Sequence, residues 1–369
     1  MVANSLEDIA ESTLSRSVNL ICGTSIKPEP IEWIWKHWIA AGKLHVFAGA
    51  PGTGKTTMAL CFVATVTIGG RWPDGTIATK GNVLIWSGED DNADTLAPRL
   101  IACGADMRKV FFVGSVSDID GHRAFDPSTD MQALADAARR VGNVKLILVD
   151  PIVSAVTGDS HKNTEVRRAL QPLVDLGLES EIAILGISHF SKGTQGRNPT
   201  ERVAGSLAFA AIARIVIVSG QLQAEGGNPP KRIIARSKSN CGPDGGGFAY
   251  DIEQVELASH AGVFASRVLW GESLEGSARE LMAMAEAPND EGGAIDHCKQ
   301  FIEELLRPGP AKAADVKKEA QAAGLAWRTV QDAAQRLNVK RKKSGMAGGW
   351  LWSLPGKQET ISERIEGAI

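Results

Sequence analysis

This sequence has few cysteines, no strong charge bias and no long uninterrupted apolar run. Its five cysteines lie far apart, with no Cys-x-x-Cys spacing and no histidine at ligand intervals beside them: Cys22, Cys61, Cys103, Cys241 and Cys298. This pattern argues against a disulfide framework and against a cysteine-based zinc site. It indicates a reducing compartment such as the cytoplasm.

The sequence also lacks the marks of a secretion signal or a membrane span. Residues 1–17 have no basic start followed by an apolar core, so we do not expect a signal peptide. The longest apolar stretch, residues 203–219, contains Arg214 and is better explained as a buried helix followed by a strand. The formal net charge of −3 means that any contact with nucleic acid depends on local patches. We expect a cytoplasmic protein without a membrane partner.

Short apolar runs alternate with helical spacing over the first two thirds of the chain. The strand-like runs are residues 43–48, 82–87, 110–113, 144–149, 182–187 and 215–218, and the helical stretches include residues 56–67, 131–141 and 165–178. Apolar strands that alternate with helices are typical of a parallel sheet covered on both faces. The sequence therefore predicts an α/β fold with a mostly parallel sheet flanked by helices.

The pattern changes near Gly271, which suggests a second, smaller domain. Three helical runs (295–306, 313–323 and 327–337) precede two strand-like arms around a Gly-rich turn, an order that indicates a winged helix. The predicted organisation is an N-terminal arm (1–30), a large α/β domain (31–270), a linker with one helix (271–294), a winged-helix domain (295–355) and a tail (356–369).

One stretch matches a nucleotide-binding motif in full. Residues 49–56 read GAPGTGKT, after the apolar run LHVFA and before a helical run. Glycines let backbone N–H groups turn around phosphates, and a helix N-terminus favours their negative charge. We predict that ATP contacts Gly49, Ala50, Pro51, Gly52, Thr53, Gly54, Lys55, Thr56 and Thr57. Lys55 would reach the β- and γ-phosphates, and the Thr56 hydroxyl would ligate Mg²⁺.

The run LILVDP at 146–151 raises a question about the catalytic base. Asp150 ends an apolar strand and is the natural second contact for Mg²⁺, with loop capping as its alternative role. In many P-loop ATPases the next residue is a glutamate that prepares the attacking water. Here the next residue is Pro151, so any base must come from elsewhere.

Two other strand ends supply candidates for the missing chemistry. The run NVLIWS leads into Gly88-Glu89-Asp90-Asp91, at the sheet edge where ligands bind in α/β folds. We choose Glu89 as the base that polarises water, with helix capping as the alternative. His189 ends the run ILGISH and could hydrogen-bond the γ-phosphate, although a purely structural histidine is the other interpretation.

These stretches together resemble the RecA-like ATPases and, within them, the RepA-type replicative helicases of plasmids and phages, relatives of DnaB-type hexamers. The resemblance covers about residues 31–270, on PIEWIWKHWIAAGKLHVFAGAPGTGKTT, LIWSGEDD, LILVDPIVSAVTG and ILGISHFSKG, extended by RVAGSLAFAAIARIVIV and IIARSKSNCGP. It implies that Glu89 is the catalytic glutamate, Asp150 the metal ligand and His189 the γ-phosphate sensor. Pro151 argues against an AAA+ module with adjacent Asp and Glu.

The resemblance also implies a basic finger that enters the neighbouring subunit's site. Hexameric relatives often use a Lys-x-Arg pair before a Gly-Pro turn, and the matching stretch here is Arg236-Ser-Lys238, with the two basic types exchanged. A guanidinium neutralises developing phosphoryl charge well, so Arg236 is the predicted finger and Lys238 its neighbour. The alternative is a solvated basic strand end.

Two segments are candidates for DNA contact. The loop after His189 is rich in Gly, Ser and Asn and carries Lys192, Arg197 and Arg202, which suits single-stranded DNA held without sequence reading. A plain solvated connector is the alternative. In the C-terminal unit we predict DNA contacts from Arg328, Arg341 and Lys342, with protein docking as the other use of such a domain.

The sequence thus predicts a ring-forming, Mg²⁺-ATP-driven motor on single-stranded DNA, a replicative helicase of a plasmid, phage or integrated element. A homo-hexamer is expected, with a replication initiator or primase as possible further partners. A RecA-, RadA- or KaiC-like recombination or regulatory ATPase, or a helicase loader, is the second hypothesis. A DNA-bound regulator that uses ATP as an assembly switch is the third.

Overall fold

The structure, a computed structural model, describes residues 18, 20–118, 121–160, 162–191, 193–203, 207–222, 231–286, 293–323, 325, 327–343 and 350–355. The strands are β1 (Trp33–Trp35), β2 (Ile39–Ala40), β3 (Leu44–Gly49), β4 (Asn82–Ser87), β5 (Val110–Phe112), β6 (Ser115–Asp118), β7 (Gly121–Ala124), β8 (Val144–Asp150), β9 (Ala183–His189), β10 (Ile215–Gln221), β11 (Arg232–Ser239), β12 (Gly247–Glu256), β13 (Phe264–Leu274), β14 (Ala311–Lys312), β15 (Lys340–Lys343) and β16 (Trp350–Ser353). The helices are α1 (Lys55–Ile68), α2 (Ala97–Ala102), α3 (Met131–Val141), α4 (Asn163–Ser180), α5 (Leu207–Ile212), α6 (Ala278–Glu286), α7 (Gly293–Leu306), α8 (Ala313–Ala322) and α9 (Trp327–Arg336).

A nine-stranded sheet forms the centre of the larger unit, in the order β13-β12-β11-β10-β3-β9-β8-β4-β5. The strands from β10 to β5 in this order are parallel, whereas β11, β12 and β13 are antiparallel additions at one side. The predicted α/β fold with a mostly parallel sheet is therefore confirmed. The antiparallel extension was not predicted.

The strand registers bring four strand ends to one edge of the sheet. Gly49 at the end of β3 lies beside His189 at the end of β9. Ser87 at the end of β4 lies beside Asp150 at the end of β8. Parallel strands end at the same edge, so the predicted nucleotide residues come together here.

The sheet is buried on both faces, which explains the continuous apolar strands. In β8, Ile147 and Val149 belong to the apolar cluster on one face, while Leu146 and Leu148 belong to the cluster on the other. Alternate side chains point to opposite faces, so a strand covered on both sides needs apolar residues throughout. The helix α1 is also buried along most of its length and ends at Gly69, whose φ of 65° suits glycine.

A stack of tryptophans closes one side of this core. The Trp35 ring lies 4.6 Å from the Trp38 ring and 4.5 Å from the Trp72 ring, both nearly parallel to it. Trp35 is fully buried and also contacts Phe62 of α1. The segment β1–β2 is thereby fixed against the helix that follows the nucleotide-binding motif.

The larger unit ends later than the predicted boundary at residue 270. The strand β13 continues to Leu274, and the helix α6 places Leu281, Met282 and Ala285 in the same apolar cluster as the sheet. A Cβ on Gly220 of β10 would lie 2.8 Å from the Met282 side chain, so this packing is close. The first part of the predicted linker, through residue 286, therefore belongs to the large domain.

The C-terminal unit has its own core and a small antiparallel sheet. Its elements follow the order α7, β14, α8, α9, β15, β16, and the sheet order is β14-β16-β15. Cys298, Ile302, Val316, Val330 and Trp352 are buried together in this unit. The order fits the predicted winged helix, an identification that stays a prediction, and the predicted Gly-rich tip at 344–349 lies outside the described residues.

Little of the two chain termini lies within the described residues. Residues 20–30 of the predicted arm are exposed, while most of residues 1–19 and the predicted tail from 356 onward lie outside the described part of the chain. Among the helices of the described residues, none combines the length and apolar character needed to cross a membrane.

Candidate nucleotide site

The predicted ATP-binding residues form the turn between β3 and α1. Gly52 and Gly54 have φ values of 79° and 83°, a region that favours glycine, and Gly54 precedes the first residue of the helix. The first N–H groups of α1 have no partner within the helix, so this end of the helix suits a phosphate group.

Asp150 and Thr56, the two predicted Mg²⁺ ligands, are in direct contact. The Thr56 hydroxyl donates a hydrogen bond to an Asp150 carboxylate oxygen at 2.9 Å. Asp150 is only 4% exposed, and burial raises its pKa to about 6, while the hydrogen bond from Thr56 acts in the opposite direction. The charges of Glu89 and Asp90 raise this pKa further. A divalent cation between these oxygens would relieve the cost of a buried carboxylate.

Lys55 is buried beside this carboxylate. Burial lowers the pKa of Lys55 to about 8, while the charges of Asp150 and Glu89 act to raise it. Its ammonium donates a hydrogen bond to the Ala50 carbonyl at 3.0 Å, within the loop itself. A phosphate would offer this ammonium a charged acceptor, which a carbonyl does not.

Glu89 lies on the adjacent strand end, within electrostatic range of the site. Its charge contributes to the pKa shifts of Lys55, Asp150 and His189. Its side chain is exposed, and within the described residues its carboxylate has neither a hydrogen bond nor an ion pair. The neighbouring carboxylate Asp90, by contrast, pairs with an arginine. The Glu89 carboxylate can therefore contact a water molecule or a ligand at the site.

The other two acidic residues of this cluster have structural partners. Asp90 forms an ion pair of 3.3 Å with Arg99. Asp91 accepts hydrogen bonds from the N–H groups of Ala93 and Asp94 and so caps the helical turn that begins there. Asp90 and Asp91 are thus engaged in contacts within the chain, whereas the Glu89 carboxylate has no such partner among the described residues.

His189 also lies at this edge of the sheet. Its Nδ1 is buried and has no hydrogen-bond partner among the described residues. Burial lowers the pKa of His189, the positive charge of Lys55 lowers it further, and Glu89 opposes the shift. A neutral imidazole in this position can donate to or accept from a ligand.

These residues fit a Mg²⁺-nucleotide. Asp150 and Thr56 supply hard oxygen ligands, and the buried ammonium of Lys55 suits a polyphosphate. The buried Nδ1 of His189, without a hydrogen-bond partner in the described part of the chain, is the kind of polar atom that a ligand group would satisfy. When bound, the metal would polarise the phosphate oxygens. The binding roles of residues 49–57 stay predictions.

Neither predicted finger residue is free in this structure. The Lys238 ammonium donates to the carbonyls of Ala210 and Ala213 at 2.8 Å each and to that of Ala211 at 3.1 Å. These carbonyls are at the C-terminal end of α5, so Lys238 stabilises that helix end. A role in a neighbouring site would require Lys238 to give up these contacts, and its assignment as a neighbour of the finger stays a prediction.

Arg236 is held less tightly, but also by its own chain. Its Nε donates to the Gly245 carbonyl at 2.9 Å, and its guanidinium lies 4.8 Å over the Trp38 ring. Burial lowers the pKa of Arg236, while Asp244 and Asp74 oppose this shift. A role in a neighbouring site would require Arg236 to exchange these contacts.

The basic residues of the predicted DNA loop after His189 differ in their exposure. Arg197 is exposed, and Lys192 lies outside the described residues. Arg202 is only 3% exposed and stacks on Phe190, with its guanidinium carbon 4.1 Å from the ring centre. Its side chain packs into the base of the loop, so contact with DNA would require Arg202 to move, and that contact stays a prediction.

The C-terminal candidates are partly visible. Lys342 and Arg341 are exposed on β15, and the Arg341 guanidinium lies 4.7 Å over the Trp352 ring. Arg328 lies on α9, but its side chain is outside the description. Exposure on a basic strand is compatible with DNA contact, which stays a prediction.

Sequence reasoning missed two residues that touch the motif. The Tyr250 hydroxyl donates to the Thr53 carbonyl at 2.7 Å, and Ser219 lies 2.8 Å from the Thr53 hydroxyl. Both come from strands on the far side of β3, and β12 was not predicted at all. The only available signal was that Tyr250 is the single tyrosine of the sequence.

Comparisons with known proteins cover the same region. Residues 15–195 match a family model described as an AAA domain, and this segment contains the P-loop, Glu89, Asp150 and His189. Asp150 is nevertheless followed by proline, so the adjacent Asp-Glu pair of AAA+ modules is absent from this position. A KaiC-like protein from the hyperthermophilic archaeon Pyrococcus horikoshii is similar in structure, with 19% identity and a TM-score of 0.44, over 61% of this chain and 96% of that chain. A search of curated proteins finds no match.

Proposed function

We propose that this chain, a RecA-like P-loop ATPase, is a ring-forming motor on single-stranded DNA and acts as a replicative helicase of a plasmid, phage or integrated element. The observation that carries the proposal is the placement of Glu89 on a different strand from Asp150, with its charge acting on Lys55 and His189. A base there can activate water while Asp150 and Thr56 hold the cation.

The path from the nucleotide to the DNA would run through the loop after β9. Phe190 and Val203 form a β-bridge, and the Ser191 N–H donates to the Arg202 carbonyl at 2.7 Å, so the two ends of this loop are joined directly beyond His189. A shift of His189 on hydrolysis would therefore move both ends together. This supports the proposal that the loop shifts the strand at each hydrolysis step.

Charge distribution supports a nucleic-acid partner for the C-terminal unit. Residues 295–355 contain eleven Lys and Arg against six Asp and Glu, whereas the whole chain has a net charge of −3. The strand β15 exposes four consecutive basic residues, Lys340 to Lys343. Clustered cations of this kind bind phosphates by releasing counterions. A replication initiator or primase would be a further partner in the same setting.

A second candidate is a RecA-, RadA- or KaiC-like recombination or regulatory ATPase, or a helicase loader, without unwinding activity. The observation that favours it is the engagement of Arg236 and Lys238 by carbonyls of their own chain. A hexameric motor needs a basic group in the neighbouring site, and these contacts do not offer one freely. Both candidates share the same ATPase site.

Fork unwinding distinguishes the two. The helicase proposal expects Mg²⁺-ATP-dependent strand displacement, stimulation of ATP turnover by single-stranded DNA, and closed rings with a non-hydrolysable ATP analogue in negative-stain images. Glu89→Gln serves as the hydrolysis-deficient control. ATP turnover that ignores DNA, with no displaced strand and with filaments or small oligomers in the images, would favour the second candidate.

A further inference from the structure

Three buried side chains from distant parts of the chain meet under the P-loop. Tyr250 of β12 donates to the Thr53 carbonyl at 2.7 Å, and Ser219 of β10 lies 2.8 Å from the Thr53 hydroxyl. Their exposed fractions are 1% for Tyr250, 0% for Ser219 and 2% for Thr53. Burial raises the pKa of Tyr250 well above its ordinary value, so its hydroxyl keeps the proton that it donates.

The bond from Tyr250 fixes the direction of one peptide group. A trans peptide is planar, and its C=O and N–H point in opposite directions. The Thr53 carbonyl is held towards Tyr250, so the Gly54 N–H points to the other side of the loop. Gly54 comes directly before α1, where N–H groups lack helical partners and bind anions.

The Thr53 hydroxyl joins the two ends of the same loop. It donates to the Ala50 carbonyl at 2.9 Å, the carbonyl that also accepts from Lys55 at 3.0 Å. Because this donation uses the only Thr53 hydroxyl proton, Ser219 is the donor in its contact with Thr53. When Lys55 turns away from Ala50, the Thr53 hydroxyl still satisfies that carbonyl, and the loop can keep its shape.

The strand end that carries Ser219 also packs closely against the start of the loop. A Cβ on Gly49 would lie 2.3 Å from the Ser219 hydroxyl oxygen and 2.6 Å from its carbonyl oxygen. On the other side, a Cβ on Gly54 would lie 2.1 Å from the Ile252 side chain of β12. The loop is thus held between β10 and β12, which both lie outside the motif.

We propose that Tyr250 and Ser219 are positioning residues of the ATPase site, which hold the Thr53–Gly54 peptide so that its N–H faces the phosphate side of the loop. The proposal rests on the assigned ATPase function and deepens it. It gives the antiparallel extension a role in nucleotide affinity. Neither residue touches the reacting atoms, so their effect appears in nucleotide binding before it appears in the chemical step.

The test compares two variants that each lose one buried hydroxyl. Tyr250→Phe removes the donor to Thr53. Thr67→Val is the matched control, because the Thr67 hydroxyl is buried at the far end of α1, donates to the Ala64 carbonyl and accepts from the Asp106 N–H. The measurements are the Kd for Mg²⁺-ADP, the KM and kcat for ATP, and the rise in Tm that Mg²⁺-ADP produces.

For Tyr250→Phe we expect the Kd and the KM to rise about tenfold while kcat falls less than about threefold, in line with the loss of one hydrogen bond. The nucleotide-induced rise in Tm should shrink. For Thr67→Val the Tm of the free protein falls, but the Kd and the nucleotide-induced rise stay as in the wild type. Should Tyr250→Phe fail to fold, Ser219→Ala carries the test with the same direction and roughly threefold effects.

The outcomes distinguish a failure of the positioning role from a failure of the ATPase function. A folded Tyr250→Phe or Ser219→Ala variant with wild-type Kd and KM overturns the positioning role and leaves the ATPase intact. Equal increases of Kd in Tyr250→Phe and Thr67→Val also overturn it, because the effect would then be general destabilisation. A wild-type protein that binds no Mg²⁺-nucleotide overturns the ATPase function and, with it, the role of Tyr250.

Discussion

At the scale of single residues, burial shifts the two charged groups at the centre of the site towards neutrality. The pKa of Asp150 rises to about 6 and that of Lys55 falls to about 8, both chiefly through burial. Water stabilises these charges poorly here, so a cation beside Asp150 and phosphates beside Lys55 gain more than they would on an open surface. Burial therefore favours a ligand that brings a cation to Asp150 and negatively charged phosphates to Lys55.

Glu89→Gln tests the assigned base. We expect ATP hydrolysis to fall by about 10²–10⁴-fold, because the amide cannot accept a proton from water. Binding of Mg²⁺-ATP should persist, since Glu89 does not belong to the loop that holds the phosphates. The measurements are phosphate release at saturating ATP and nucleotide affinity in the same preparation.

Asp90→Asn is the neighbouring control, because Asp90 pairs with Arg99 and lies one residue further along the chain. Its hydrolysis rate should stay within a few-fold of the wild type. Equal losses in both variants, or a normal rate in Glu89→Gln, would show that the base is a different group.

His45 makes stability depend on pH. The residue is fully buried, accepts a hydrogen bond from the Ala40 N–H and contacts the Ile184 carbonyl through its other ring nitrogen. Burial lowers its pKa from the ordinary 6.5 to about 4. The unfolded chain therefore takes up a proton first as the pH falls, and stability present above pH 6.5 is lost towards pH 4.

Over the same pH range Asp150 has the opposite effect on stability. Its raised pKa lets the folded state bind a proton before the unfolded chain does, so this group stabilises the folded state as the pH falls. We therefore propose to measure urea unfolding in the Asp150→Asn background. Between about pH 7 and about pH 5.5 the free energy of unfolding should fall by at least about 1.2 kcal/mol. The lowered pKa values of His37 and His189 have the same sign. A pH-independent unfolding free energy would contradict the assigned state of His45.

At the scale of elements, the helix α5 depends on a side chain from another strand. It has only six residues, and its final carbonyls are satisfied by the Lys238 ammonium from β11. Short helices depend on such contacts, since their own hydrogen bonds are few. The segment that follows the predicted DNA loop is therefore anchored through Lys238.

Lys238→Met should destabilise the folded state more than it impairs catalysis. We expect the free energy of unfolding to fall by roughly 1–3 kcal/mol, because charged hydrogen bonds to the final carbonyls of this helix are lost. The rate of ATP hydrolysis per folded molecule should change little. A large loss of activity with unchanged stability would instead support a role for Lys238 in the finger.

Sequence periodicity predicted the parallel strands well but not the antiparallel ones. The strands β3, β4, β8, β9 and β10 are buried on both faces, so their apolar runs are continuous and easy to recognise. The strand β13 mixes polar and apolar residues because much of it is exposed. Such strands resemble loops when only continuous apolar runs are sought.

The candidate site shows the same limit at single positions. Lys55, Thr56 and Asp150 could be found because a motif and a strand end fix their places in the chain. The burial of Arg202 could not be predicted, because the loop must close before its partner Phe190 lies near it. Motif residues are set by local order, whereas burial of a basic side chain is set by tertiary contacts.

At the scale of the whole molecule, positive charge is concentrated in the C-terminal unit. Substituting Lys340, Lys342 and Lys343 with Gln should weaken binding to single-stranded DNA and lower the slope of log K against log salt by about 0.7 for each lost phosphate contact. Arg341 stays in place because it packs on Trp352. Filter binding over a salt series gives the slope.

A triple variant of exposed lysines on the other unit, at Lys27, Lys36 and Lys80, provides the control for net charge. Its salt slope should match that of the wild type. Identical slopes in the two triple variants would indicate that β15 does not contact DNA, and that the C-terminal unit docks on protein instead.

The parallel rings of Trp35, Trp38 and Trp72 have an optical consequence. Indoles stacked this closely share their excited states, so their near-ultraviolet circular dichroism reports on their geometry. The Arg236 guanidinium rests over the outer ring of this stack. Any assembly that draws the arginine towards a neighbouring subunit uncovers that ring. The near-ultraviolet circular dichroism of these tryptophans would therefore report, without any label, whether Arg236 leaves Trp38 when subunits assemble.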